Sequence, residues 1–230
     1  MTTYVFDPPP PPSLAIDADT RRFPIRRIYG VGQNYDAHTR EMGGDPVREA
    51  PFFFTKPSDC LAPVGRVAYP PHTNRLQHEV ELVVALNQGG QNLTPAEAGA
   101  AVWGAAVGLD LTLRDLMETA RAMGQPWDLS KGFDAAAAIG PLSPIADVPS
   151  LQTGAIRLWV NGSLRQTGDL GEMIWPVCEL ISILSRQVTL AKGDIIMTGT
   201  PAGVGTLVPG DEVEASIAGL APLLTRVAMP

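Results

Sequence analysis

The chain has 230 residues, 45% of them hydrophobic and 18% charged, with a formal net charge of −7 and a pI near 4.9. That acidity leaves no electrostatic footprint for nucleic acid and sets the chain against an anionic membrane surface. Only Cys60 and Cys178 occur, far apart, which argues against a disulfide framework and a thiolate metal site.

In chain order, "DPPPPP" at 7–12 reads as a polyproline II rod, part of an N-terminal proline-rich arm over 1–22 that precedes a single domain over 23–230. No basic-plus-apolar leader and no 18-residue apolar run appears, so a cytoplasmic location is expected. "FPIRRIYGVG" predicts a first strand over 23–32. "NYDAHTREMGG" predicts a short helix capped by Asn34 or Asp36 and stopped by Gly43, Gly44 and Pro46. Proline-broken strands follow at 51–63 and 65–71, then the very apolar strand "HEVELVVAL". Thr94, Pro95 and Glu97 form a capping-box signature for a helix near 95–102. A strand near 103–111 and a helix near 112–123 follow. "AIRLWV", "NG" and "SLRQTGDL" read as a hairpin, and Pro176 opens another helix. "GDIIMTGTPAGVGTLVPGDEVEASIAGL" is strand, glycine-rich loop, strand. The class is α+β with mostly antiparallel sheet.

The strand "QHEVELVVAL" holds two carboxylates, Glu79 and Glu81, in an otherwise core-like run. Alternation puts both on one face, roughly 7 Å apart along the strand. Bare acids in a core are costly unless a cation lies between them. For an arbitrary E-x-E in a strand, a water-facing edge is the commoner explanation. "DEVEA" at 211–215 supplies the contrast: Glu212 and Glu214 share the spacing but follow Pro-Gly, and read as a solvated hairpin face. Asp110, ending the apolar run "AVGLD", is the candidate third ligand. Three carboxylates with waters suit magnesium or manganese, with open positions for a substrate.

"QHEVELVV", "GLDLTLRD", "PWDLSKGFD", "VNGSLRQTGD" and "GDIIMTGTPAGVG" stand in the order and spacing of the fumarylacetoacetate hydrolase family, which the chain resembles from Phe23 onward. "FFFTKPSD" and "YPPHTNRLQHEVELVVAL" are most similar to the members that hydrolyse fumarylpyruvate in gentisate degradation. The resemblance implies a mixed β-sandwich roll with a few short helices, and a homodimer. It implies Mg2+ or Mn2+ on Glu79, Glu81 and Asp110. It carries over His38 and Glu41 as a catalytic dyad, Lys131 as a substrate-side cation, and Arg114, Thr200 and Tyr35 as substrate contacts. The activity implied is hydrolytic C–C cleavage of an acylpyruvate, a small-molecule 2-oxo acid.

The chemistry of these residues agrees. His38 and Glu41, three apart, can touch on one helical turn, and a carboxylate beside imidazole makes it a better base, although on the residues alone a surface ion pair on a short helix is the commoner explanation. Glycines after Met42 suit a segment that closes over substrate. "TGTPAGVG" lacks the lysine of a phosphate loop, but its backbone and Thr200 could meet a carboxylate. Three departures from the family's usual residues, Gln33, Gln77 and Met117, bear on the substrate rather than the metal. Rival activities on the same scaffold are oxaloacetate decarboxylation and hydroxy-diene-dioate isomerisation. From another class, the rival is a non-catalytic dicarboxylate-binding protein.

Overall fold

The strand Val80–Leu86 is buried at all seven positions and lies inside a seven-stranded sheet. This is a computed structural model that describes residues 2–41 and 49–229. The main path of that sheet runs Ala137–Ile139, Val102–Asp110, Val80–Leu86, Asp194–Met197, Arg27–Gly32 and Phe52–Lys56. All neighbours along it are antiparallel except Asp194–Met197 beside Arg27–Gly32. A five-stranded sheet, Ser163–Asp169, Ala155–Val160, Glu212–Ile217, Leu223–Ala228 and Arg66–Ala68, makes a second layer.

Side-chain alternation explains how one strand serves two cores. Val80, Leu82, Val84 and Leu86 join a cluster with Ile156, Leu158, Val213 and Ile217 of the second sheet. The helix Val177–Gln187 closes that cluster with Leu180, Ile181 and Leu184. Val83 and Ala85 face the opposite way, into a smaller cluster with Leu14, Ile16, Phe23 and Ile195. Glu79 and Glu81 continue this second face past Val83. Each fully buried valine or leucine contributes about 1.5–3 kcal/mol. The strand's apolar members thus offset much of the several kcal/mol that each buried ion costs. The layers match the expected α+β sandwich with short helices.

Local signals fare differently along the chain. The capping box at Thr94 and Glu97 opens Pro95–Ala100, and Glu212 and Glu214 are exposed as expected. The expected strand over 23–32 is two strands, because the chain turns at Ile25 and Arg26 between sheets. Asp19–Pro24 instead pairs with Ser13–Ile16 in a hairpin that buries Leu14, Ile16 and Phe23. Regular pairing therefore begins at Ser13, and Pro12 still contributes its carbonyl to Ile25 N–H at 2.8 Å. The helix Asp36–Glu41 forms, but Asn34 does not cap it. Asn34 Nδ2 donates to the carbonyls of Trp175 and Thr198 at 3.0 and 2.7 Å, and its Oδ1 accepts from Trp175 N–H. The helix stop at Gly43, Gly44 and Pro46, and the closing segment expected there, lie outside the described residues. No helix among the described residues is long and apolar enough to cross a membrane.

Candidate metal centre and active site

Antiparallel register assembles the carboxylates. Val80 pairs with Leu109 and Glu81 with Gly108, which sets Asp110 across from Glu79, whose carbonyl accepts Asp110 N–H at 2.9 Å. Ligand oxygens of Glu79, Glu81 and Asp110 all lie within 4.8 Å of one another. The residues are 5%, 1% and 1% exposed, too buried for a water-facing edge.

Their cations are arranged unevenly. Lys131 Nζ donates to Glu79 Oε2 at 2.7 Å and to Asp110 Oδ2 at 2.6 Å. Arg114 Nη2 donates to Glu79 Oε1 at 2.6 Å. Burial works against the charge on Glu79, but Lys131 and Arg114 outweigh it and pull the carboxyl down to about 2. Burial also opposes the charge on Lys131, and Asp110 and Glu79 more than compensate, pushing it up. Glu81 receives one backbone bond, from Gly199 N–H at 2.8 Å. Burial, then the charges of Asp110 and Glu79, push its carboxyl well above the usual range. A cation between the acids would remove that conflict.

Asp110 Oδ1 gives the sharper test. Lys56 Nζ lies 2.7 Å away, yet it donates to the carbonyls of Leu111, Ala136 and Lys131. Oδ1 is therefore buried beside a charge but accepts no hydrogen bond from the described residues. An all-oxygen set with unused lone pairs fits a hard divalent ion. Glu79, Glu81 and Asp110 are positioned to hold one.

A cavity opens beside the triad, lined by His38, Glu79, Glu81, Arg114, Lys131 and Thr200 among the expected residues, and by Gln33, Met117, Arg121, Trp127, Phe52 and Phe54. Phe52 and Trp127 pack edge to face at 5.1 Å, and Lys131 Nζ lies 5.0 Å from the Phe54 ring centre. His38 is buried, with Nδ1 3.1 Å from Glu41 Oε2. Glu41, its side chain 38% exposed, also accepts Gly203 N–H at 3.2 Å, so the dyad is tied to the glycine-rich loop. Gly199 in that loop has φ +96°, and a Cβ there would come within 2.7 Å of Asn34 Cβ.

Two expected substrate contacts sit differently. Tyr35 is buried in the main core and does not line the cavity. Thr200 does line it, but its hydroxyl donates to the Val80 carbonyl and accepts from Gln166 Nε2, both at 2.8 Å.

Gln166 and Lys56 were not singled out as functional from the sequence. Gln166 is fully buried and all its polar atoms are used: Oε1 accepts from Val80 N–H at 3.0 Å and meets His78 Nδ1 at 2.9 Å, while Nε2 serves Thr200 and Pro201. It ties the acidic strand to the Thr200 loop. Burial lowers the His78 pKa, and because Gln166 Oε1 can only accept, His78 Nδ1–H is the donor in this contact. Gln166→Leu strands these partners and should cost about 3 kcal/mol of unfolding free energy, read by urea denaturation. A loss below about 1 kcal/mol would contradict this account. A polar residue in the hairpin motif "SLRQTGD" and a lysine after three phenylalanines were the available signals.

The fold and this site define a metal-dependent enzyme architecture, and the chain belongs to the fumarylacetoacetate (FAA) hydrolase C-terminal family, whose model matches residues 27–228. It is 45% identical to the fumarylpyruvate hydrolase of Pseudomonas aeruginosa, solved with Mn2+ and pyruvate, with a TM-score of 0.96 over 99% of this chain and 100% of that one. It is 39% identical over 206 residues to a mitochondrial oxaloacetate tautomerase of Homo sapiens, covering 89% of this chain and 93% of that protein. Similarity also extends to the 5-carboxymethyl-2-hydroxymuconate delta-isomerase of Mycobacterium smegmatis, at 30% identity and a TM-score of 0.80 over 91% of this chain and 81% of that one.

Proposed function

We propose that the chain is an acylpyruvate hydrolase that uses Mg2+ or Mn2+ and cleaves fumarylpyruvate to fumarate and pyruvate, a step in aromatic-acid breakdown. The observation that carries this reading is the buried His38, backed by Glu41, on the wall of the cavity lined by Glu79 and Glu81 of the acidic triad. Likeness to the Pseudomonas enzyme over nearly the full chain supports the same choice.

His38 is placed to take a proton from water as the water oxygen attacks the fumaryl carbonyl carbon. Glu41, on Nδ1, fixes the ring and favours the protonated imidazole that results. The bond from that carbon to the pyruvate methylene breaks, its electron pair stays with the pyruvate fragment, and a proton is returned there. When bound, the divalent ion draws off negative charge that builds on the 2-oxo acid end. Lys131 adds a second positive group at the same place, and the aromatic walls keep bulk water out.

Tautomerisation of oxaloacetate is the second reading, favoured by the human relative, since a His–Glu pair can equally move a proton between carbon and oxygen. One assay separates them. Purified protein is mixed with fumarylpyruvate, acetylpyruvate or oxaloacetate, in Mg2+ or in EDTA, and the enol absorbance and products are followed. The hydrolase reading expects metal-dependent release of equimolar fumarate and pyruvate from fumarylpyruvate. Keto–enol interconversion of oxaloacetate with no acylpyruvate cleavage would replace it with the second reading. No metal-dependent change in any substrate would leave a binding protein.

A further inference from the structure

The cations of the cavity are not equally available. Lys131 is held by Glu79 and Asp110. Arg114 uses every arm of its guanidinium: Nε donates to Gln77 Oε1 at 2.5 Å, Nη1 to Met117 Sδ at 3.1 Å and Nη2 to Glu79 Oε1. The expectation that Arg114 holds a substrate carboxylate therefore requires it to leave three partners. Arg121 is different. It is exposed, lines the cavity, and its guanidinium has no hydrogen-bond or ion-pair partner among the described residues.

Its position follows from the helix Arg114–Met123. Arg114, Met117 and Arg121 fall at i, i+3 and i+7, one face of the helix, and all three line the cavity. Seven residues advance about 10 Å along the axis, so Arg121 lines the cavity about two helical turns on from the pinned Arg114. Gln33, which also lines the cavity, is neutral and held at φ +55°.

We propose that Arg121 is a specificity-determining residue that binds the far carboxylate of a dicarboxylic 2-oxo acid. The inference deepens the functional reading above and rests on it in one respect, that the near end of the ligand is held at the metal. Arg121 is planar and forked, which suits two parallel bonds to a carboxylate. A ligand lacking that group has nothing to offer it. Arg121 thus selects for a second negative charge and leaves the chemistry at the triad untouched.

The test compares 2-oxoheptanedioate with 2-oxoheptanoate, which differ only in the terminal carboxylate, by calorimetric titration of the Mn2+-loaded protein. Wild type should bind the diacid about tenfold more tightly, as one charge-assisted bond at an exposed site provides. Arg121→Gln should bring the ratio to about one and leave affinity for the monoacid unchanged. Arg121→Lys should retain part of the preference. Arg157→Gln, an exposed arginine outside the cavity, should retain all of it. An unchanged ratio in Arg121→Gln, equal losses for both ligands, or no preference in wild type would each overturn the proposal. Turnover is not read, so a wild type that shows the Arg121-dependent preference yet cleaves no acylpyruvate sinks the hydrolase reading alone.

Discussion

Asp110→Asn is expected to abolish Mn2+ binding and to destabilise the protein by about 3–5 kcal/mol, the cost of leaving buried charges without their counter-ion. Lys131 Nζ is 2.6 Å and Lys56 Nζ 2.7 Å from this one carboxylate, and both lysines are almost fully buried. The isosteric amide keeps the shape of the side chain and removes the charge, so packing is not the variable. The two effects have separate readouts, guanidinium denaturation of the metal-free protein and titration with Mn2+. If Asp110→Asn loses less than about 1 kcal/mol, the lysines are not balanced by Asp110. If it binds Mn2+ as wild type does, Asp110 is not a ligand.

His38→Ala should lower fumarylpyruvate cleavage by about 10²–10⁴-fold, the usual contribution of a positioned general base. Mn2+ affinity should stay within about twofold, since His38 belongs to the helix Asp36–Glu41 and not to the acidic strand. Glu41→Gln should show a smaller loss in the same direction, because it removes the charge on Nδ1 while a hydrogen bond remains. Steady-state rates with product analysis measure both. Full activity in His38→Ala would remove water activation from this residue.

The acidic triad was legible because it violates a strong rule. Carboxylates at 79 and 81 in an apolar strand, and Asp110 ending another, are costly without a cation; the spacing alone pointed to a water-facing edge, and the family resemblance supplied the ligand set. Comparison with Glu212 and Glu214 was equally readable, since Pro-Gly before them marks a hairpin at the surface. Pairwise geometry within one turn, as for His38 and Glu41, was also accessible. What could not be read was the environment contributed by distant segments. Lys56 reaches Asp110 across 54 residues of sequence, and Gln166 reaches His78 across 88. Nothing local in "TKPSD" or "RQTGD" distinguishes a buried donor from a solvated one. The hairpin Ser13–Ile16 and Asp19–Pro24 was hidden by its neighbours: five prolines before it suggested an extended arm, and its strands are too short to display a period. Arg121 carried no signal because its meaning lies in having no partner among the described residues while Arg114, on the same helix face, has three.

The position of Asp194–Met197 between Val80–Leu86 and Arg27–Gly32 has a consequence for biosynthesis. Segments from the first two-fifths of the chain cannot close up on each other until one from its last sixth is inserted. During translation, then, the three acids emerge long before the sheet that clamps them is complete. Capture of the ion should come after release of nearly the whole polypeptide from the ribosome, making metal uptake a marker of finished folding rather than its trigger.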